Sequence, residues 1–229
     1  MKVLLIILCL SGLTVNAQDW PNLSKYEKQN DSLKTMDAKK PQHLLEKEKR
    51  VVFMGNSITE LWSNKSPGFF ENPLYVNRGI SGQTTPQMLL RFRQDVIDLK
   101  PKIVVILAGT NDIAGNTGPM SLEQIKDNIL SMVELAEANH IKPIICSILP
   151  VFDYSWRPGL NPDIKIPKLN SMLKNLAEEK KIFYLDYFSE MADNRNGLPL
   201  ELAEDGVHPN AKGYKIMEIL VEKAIKSLE

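Results

Sequence analysis

Cysteine is nearly missing from this chain. Only Cys9 and Cys146 occur in 229 residues, and Cys9 falls inside the apolar N-terminal run. Past that run Cys146 stands alone, which excludes an internal disulfide framework and a cysteine-based zinc site. Cys146 lies in the strand-like Pro143-Ile144-Ile145-Cys146-Ser147-Ile148 and reads as a buried, inert thiol. An excess of either charge is missing too: 28 basic and 28 acidic residues give a formal net charge of +0. No basic field is available to recruit nucleic acid or an anionic membrane, so neither is an expected partner. Histidine is scarce, with three in all, which narrows the choice of a general base to His43, His140 and His208. Also missing are a Walker loop, a dinucleotide fingerprint and any His/Cys/carboxylate grouping at metal spacing, so neither a cofactor nor a metal is expected. No repeats, low-complexity segments or interdomain linker interrupt the chain.

The longest apolar run opens the sequence. Lys2 precedes Val3-Leu4-Leu5-Ile6-Ile7-Leu8, and small-residue chemistry follows at Val15-Asn16-Ala17. This pattern is that of a cleavable secretory signal over residues 1–17, too short and wrongly flanked for a membrane span. Cys9 follows Leu8 in the middle of the run, which does not suit lipid attachment. The expectation is a secreted or periplasmic protein beginning near Gln18, with 18–229 as one domain and no integral membrane association.

What is present is an ordinary globular composition, 43% hydrophobic and 24% charged, patterned as alternating strands and helices. Residues 18 to about 48 read as one or two outer helices broken at Pro41. Strands are expected at Val51–Met54, Leu74–Asn77, Lys102–Ala108, Lys142–Ile148 and Ile182–Leu185. Helices are expected from Ile58, from Thr84 or Thr85 with Pro86 in the first turn, from Ser121, over Asp163–Lys180, and from about Asn210 to the end. Alternation of this kind implies a parallel sheet built from right-handed crossovers. The fold class is α/β: a three-layer α/β/α, flavodoxin-like sandwich with five parallel strands in the order 2-1-3-4-5.

Within that pattern, Val51-Val52-Phe53-Met54-Gly55-Asn56-Ser57 is an apolar strand that stops at a glycine with a serine just beyond it. In such a sheet, ligands bind outside the carboxyl ends of the strands. Ser57 is therefore either a nucleophile at that edge or simply the N-cap of the next helix. Three further blocks bear on the choice: Asn77-Arg78-Gly79-Ile80-Ser81-Gly82-Gln83-Thr84, Ala108-Gly109-Thr110-Asn111-Asp112, and Asp205-Gly206-Val207-His208-Pro209-Asn210. Of the histidines, only His208 has a nearby aspartate and turn chemistry to hold it. Asp205, three residues earlier, is close enough to bond the far ring nitrogen.

These four blocks, in this order, resemble those of the GDSL-type SGNH hydrolases, an esterase and lipase superfamily, and bacterial relatives of platelet-activating-factor acetylhydrolase in particular. The resemblance implies Ser57 as nucleophile, His208 as general base and then acid, and Asp205 as its orienter. It implies an oxyanion hole built from the N–H groups of Ser57 and Gly82 and the side-chain amide of Asn111, with Gly79 left as a turn residue. The first block departs from the family's usual Gly-Asp-Ser, having Gly55-Asn56-Ser57; Asn56 is expected to make local turn bonds. Thr59 stands where the elbow of the α/β-hydrolases needs its second glycine, which argues against that fold.

Substrate-wall candidates are Trp62, Tyr154 and Trp156, the last two in the aromatic loop Leu149–Gly159; for each the alternative is a core position. The implied activity is hydrolysis of short acyl esters through an acyl-enzyme, with O-acetyl groups on carbohydrate as the favoured substrate. A lysophospholipase or thioesterase on the same residues is the alternative. An idle ligand-binding module on the same fold is the reading from another class.

Overall fold

The computed structural model describes residues 18–41 and 50–228. The expected signal segment, the second outer helix before Glu48 and His43 lie outside the described residues. In chain order the elements used below are α1 (Glu27–Ala38), β1 (Val51–Gly55), α2 (Ser57–Lys65), β2 (Tyr75–Gly79), α3 (Thr85–Asp95) and β3 (Ile103–Leu107). They continue with α4 (Thr110–Ile113), α5 (Leu122–Ala138), β4 (Lys142–Cys146), α6 (Pro162–Lys180), β5 (Phe183–Leu185), α7 (Phe188–Met191) and α8 (Ala211–Leu228).

The five strands form one all-parallel sheet in the order β2-β1-β3-β4-β5. Strand side chains alternate between faces, and both faces are apolar. Val52, Met54, Val104, Ile106 and Ile145 enter one core with Met88 and Phe92 of α3, Ile129 of α5 and Leu169 of α6. Val51, Phe53, Ile103, Val105 and Ile144 enter the other with Trp62 of α2 and Tyr214, Met217 and Val221 of α8. The expected three-layer fold is therefore present. The continuous apolar runs of β1 and β3 follow from burial on both sides.

Local chemistry starts the helices. Thr84 and Gln87 form a capping box on α3, as do Ser121 and Gln124 on α5. The cap of α2 is Asn56, whose side-chain oxygen accepts the Ile58 N–H at 3.0 Å. Ser57 is thus the first helical residue and leaves the capping to its neighbour. The expected second strand begins and ends late, at Tyr75–Gly79. Gly79 is not in a turn but is the last residue of β2. A Cβ there would come within 2.1 Å of the Glu60 backbone nitrogen, so glycine is what lets α2 lie against the strand end. Among the described residues no helix is long and apolar enough to cross a membrane.

Candidate active site

The order of strands brings two loops together at the carboxyl edge of the sheet. Ser57 leaves β1 and Asn111 follows β3, its direct neighbour. His208 arrives from the loop before α8. It is anchored because the Tyr214 hydroxyl of that helix donates to the Ile58 carbonyl at 2.7 Å. Ser57 Oγ lies 2.9 Å from His208 Nε2, and His208 Nδ1 lies 2.6 Å from Asp205 Oδ2. The other carboxylate oxygen, Oδ1, accepts the Val207 and His208 N–H groups at 2.9 and 2.8 Å. Partial burial pushes the Asp205 pKa up. The His208 backbone N–H, the His208 ring and the Val207 N–H outweigh it, and the carboxyl is held below its usual range. Asp205 is accordingly an anion at neutral pH, fixed on one side by backbone and facing the imidazole with the other.

Potential donors surround the serine. Ser57 is at the start of α2, where N–H groups have no partner inside the helix and the dipole favours negative charge. Gly82 has φ 77°, a conformation glycine adopts without strain, and is exposed. One N–H of the buried Asn111 amide goes to the Gln83 carbonyl at 3.0 Å, which orients the amide and leaves its second N–H for another acceptor. Asn116 closes the arrangement by donating to the Gly82 carbonyl at 3.1 Å, while its own N–H goes to the Asn111 carbonyl at 3.0 Å.

Supporting residues that the sequence motifs did not single out are charged and polar groups under these loops. Arg91 is fully buried. Its guanidinium donates to the Gly55 and Arg78 carbonyls at 3.0 and 2.9 Å, to Gln83 Oε1 at 2.6 Å, and to Asp95 Oδ2 at 3.0 Å. It therefore ties the ends of β1 and β2 to the loop that carries Gly82. Burial pushes the Arg91 pKa down, and the Asp95 carboxylate beside it opposes that shift. Glu60 of α2 takes the Ser81 N–H at 2.7 Å. The signal for Arg91 and Asp95 was their spacing, since each falls three residues after a core residue, Met88 and Phe92.

Two of the three wall candidates are core residues. Trp62 is 2% exposed, stacked on Phe69 at 4.9 Å and on Tyr214 at 5.3 Å, on the inner side of α2. Tyr154 is fully buried, with its hydroxyl 2.9 Å from both the Thr110 hydroxyl and the Thr110 carbonyl, so it braces the residue before Asn111. Neither has surface left for a substrate. Trp156 is different: it is 49% exposed and packs against Tyr154 at 5.1 Å. Its neighbour Arg157 fastens the loop to the Ala114 and Gly115 carbonyls at 2.7 Å each, next to Asn116. His140 caps no site; it is exposed with φ 59° after α5. Cys146 is buried, and desolvation pushes its thiol pKa well up, as an inert core thiol requires.

The model of the GDSL-like Lipase/Acylhydrolase family matches residues 53–216. A solved structure of a proposed acylhydrolase from Bacteroides fragilis is 48% identical, covering 93% of this chain and all of that one, with a TM-score of 0.86. An acetylxylan esterase of Xylanibacter ruminicola is 25% identical over 212 residues, which is 77% of this chain and 43% of that protein. An isoamyl acetate-hydrolyzing esterase of Saccharomyces cerevisiae is 27% identical over 207 residues, 78% of this chain and 86% of that protein. The chain spans less than half the length of two of the curated relatives it matches. A serine–histidine–aspartate line at the edge of a 2-1-3-4-5 sheet, a family match over most of the chain and a nearly superposable relative agree: this chain belongs to the GDSL-like lipase/acylhydrolase family.

Proposed function

We propose that the protein is an exported serine esterase that removes short acyl groups, chiefly O-acetyl, from carbohydrate. The observation that carries the reading is the unbroken line from Ser57 Oγ through His208 to Asp205, at 2.9 and 2.6 Å. A serine hydroxyl is a poor nucleophile until a base takes its proton, and Nε2 is within reach to do so. Ser57 Oγ attacks the ester carbonyl carbon as His208 accepts the proton. Asp205 keeps the other ring proton on Nδ1 and stabilises the imidazolium. The carbonyl oxygen becomes an anion and receives the Ser57 N–H, the Gly82 N–H and the free N–H of Asn111. When the intermediate collapses, His208 gives its proton to the departing alcohol. Water then repeats the cycle on the acyl-enzyme and releases the acid.

Short acyl chains are supported by the names of two relatives, one acting on acetylxylan and one on isoamyl acetate. Carbohydrate is supported by Trp156, an exposed aromatic face of the kind on which a sugar ring packs. Export is supported by the apolar run of residues 1–17, and the mature protein would begin near Gln18 with a single catalytic domain.

The test is hydrolysis of p-nitrophenyl esters from acetate to octanoate by wild type and Ser57→Ala. Acetate preference lost in the variant is expected, followed by acetate release from acetylated xylo-oligosaccharides. A longer-chain optimum would point to lysophospholipids. Equal activity in both proteins would overturn the assignment of Ser57. Mass measurement of the protein recovered from the producing cells reads the cleavage point.

A further inference from the structure

The segment just before α1 has no place in the family motifs, and it ends well before residue 53, where the family match starts. It is nevertheless fastened to the loop that carries Gly82. The Tyr26 hydroxyl donates to the Gly79 carbonyl. Lys25 Nζ pairs with Glu60 Oε1 at 2.7 Å, and the other oxygen of that carboxylate holds the Ser81 N–H at 2.7 Å. The Gln83 side-chain amide donates to the Pro21 carbonyl at 2.7 Å, while its oxygen takes Arg91 Nε. Residues 79, 81 and 83 are thus each tied, directly or through one side chain, to the N-terminal segment. Gly82 lies between the last two ties. The segment is itself held on α3, where Gln87 and Gln94 donate to the Trp20 and Leu23 carbonyls at 2.8 and 2.6 Å. Asp19 closes its turn by accepting the Leu23 and Ser24 N–H groups at 2.8 and 2.9 Å.

We propose that Asp19–Tyr26 is a positioning strap of the active site: it fixes the Gly79–Gln83 loop so that the Gly82 N–H meets the oxyanion. The inference rests on the esterase reading above. An oxyanion donor acts only within hydrogen-bond reach of the oxygen as it becomes charged, and a displacement of about 1 Å can cost on the order of a hundredfold in rate. A strap that limits such displacement acts on the transition state. Its ties end on Gly79, on Gln83 and, through Glu60, on Ser81, not on Ser57 or His208, so the effect is expected in kcat more than in KM.

The experiment uses the full chain with Lys25→Met and Tyr26→Phe, singly and together, beside wild type and Ser57→Ala. Both substitutions keep the apolar bulk of the side chain and remove one polar tie. For p-nitrophenyl acetate, kcat is expected to fall about tenfold in the double variant while KM stays within about twofold, less than the roughly 100- to 1000-fold cost of losing a donor outright. Phenylboronic acid, which forms a tetrahedral adduct on the serine, should bind more weakly by a similar factor. A strap that served only to hold the fold would lower Tm and the fraction of active protein, and would leave kcat per active site and the boronate affinity unchanged; that result overturns the proposal. So does a double variant with wild-type kcat. A wild type without Ser57-dependent activity would instead sink the esterase reading itself, and the strap with it.

Discussion

Replacing Arg91 by Met should come close to unfolding the protein, although residue 91 is on the outer helix layer and methionine retains most of the aliphatic volume. Arg91 and Asp95 are 0% and 1% exposed in their side chains and 3.0 Å apart. Removing one partner of a buried pair leaves the other charge uncompensated, which costs about 3–5 kcal/mol. Gln83 Oε1 loses its donor as well, and an acceptor left short in the interior adds about 1 kcal/mol. The Gly55 carbonyl suffers less because it still accepts the Ile80 N–H at 3.1 Å. The sum, about 4–6 kcal/mol, matches the lower end of the stability of a typical domain, about 5–15 kcal/mol. Urea unfolding measures it as a drop in midpoint at constant slope. Arg91→Met combined with Asp95→Leu removes both charges and should be less unstable than Arg91→Met alone, because an apolar replacement of a buried pair is often close to neutral. Asn30, which donates to Asp95 at 2.7 Å, keeps that recovery incomplete. A loss below about 1 kcal/mol for Arg91→Met, or a double variant less stable than the single, would refute the view that this guanidinium is a buried, charge-paired clamp.

Trp62→Ala should cost about 3–5 kcal/mol of stability, read by denaturant unfolding, and leave KM for p-nitrophenyl acetate unchanged, since the ring faces the core. Asp205→Asn should lower kcat by about a thousandfold or more: with Oδ1 still taking the two backbone N–H groups, the amide nitrogen would face Nδ1 and force the ring proton onto Nε2, where Ser57 needs an acceptor. Asp112 is buried, and desolvation raises its pKa despite the bonds from Thr85 that oppose the shift. A carboxyl with a raised folded pKa gives stability that is complete below the unfolded value and lost as pH rises through the folded one. Asp112→Asn, which keeps an oxygen for Thr85, should therefore gain in Tm relative to wild type as pH rises, read by thermal unfolding of both proteins across the pH range.

The sheet was legible because its information is local. Val51–Met54 and Ile103–Leu107 are apolar without a break, and only a strand covered on both faces asks for that. The capping boxes at Thr84 and Ser121 marked helix starts for an equally local reason. Side-chain destinations were harder to read. Trp62 follows Ile58 by four residues and so shares its buried face, but a tryptophan so close to a serine at the sheet edge suggests a wall as readily as a core. Tyr154 sits in a loop, where no periodicity tells inside from outside. Arg78, Arg91 and Asp95 carry charge, which reads as solvent-exposed until the partners that neutralise it are in place. The family motifs pointed to Ser57, Asn111, Asp205 and His208; of the polar groups around them, Arg91, Asp95 and Asn116 come from segments whose sequence carries no motif.

Ser57 and His208 meet across 151 residues of chain. At a synthesis rate of about 5–20 residues per second, His208 reaches the ribosome exit roughly 8–30 s after Ser57. Until then Ser57 has no proton acceptor, and its helix has no Tyr214 hydroxyl at Ile58. If Ser57 and His208 act as proposed, the nascent chain hydrolyses no ester before its last helix is made. On that reading, turnover of a chromogenic acetate reports when α8 has docked and so acts as a clock for the completion of folding.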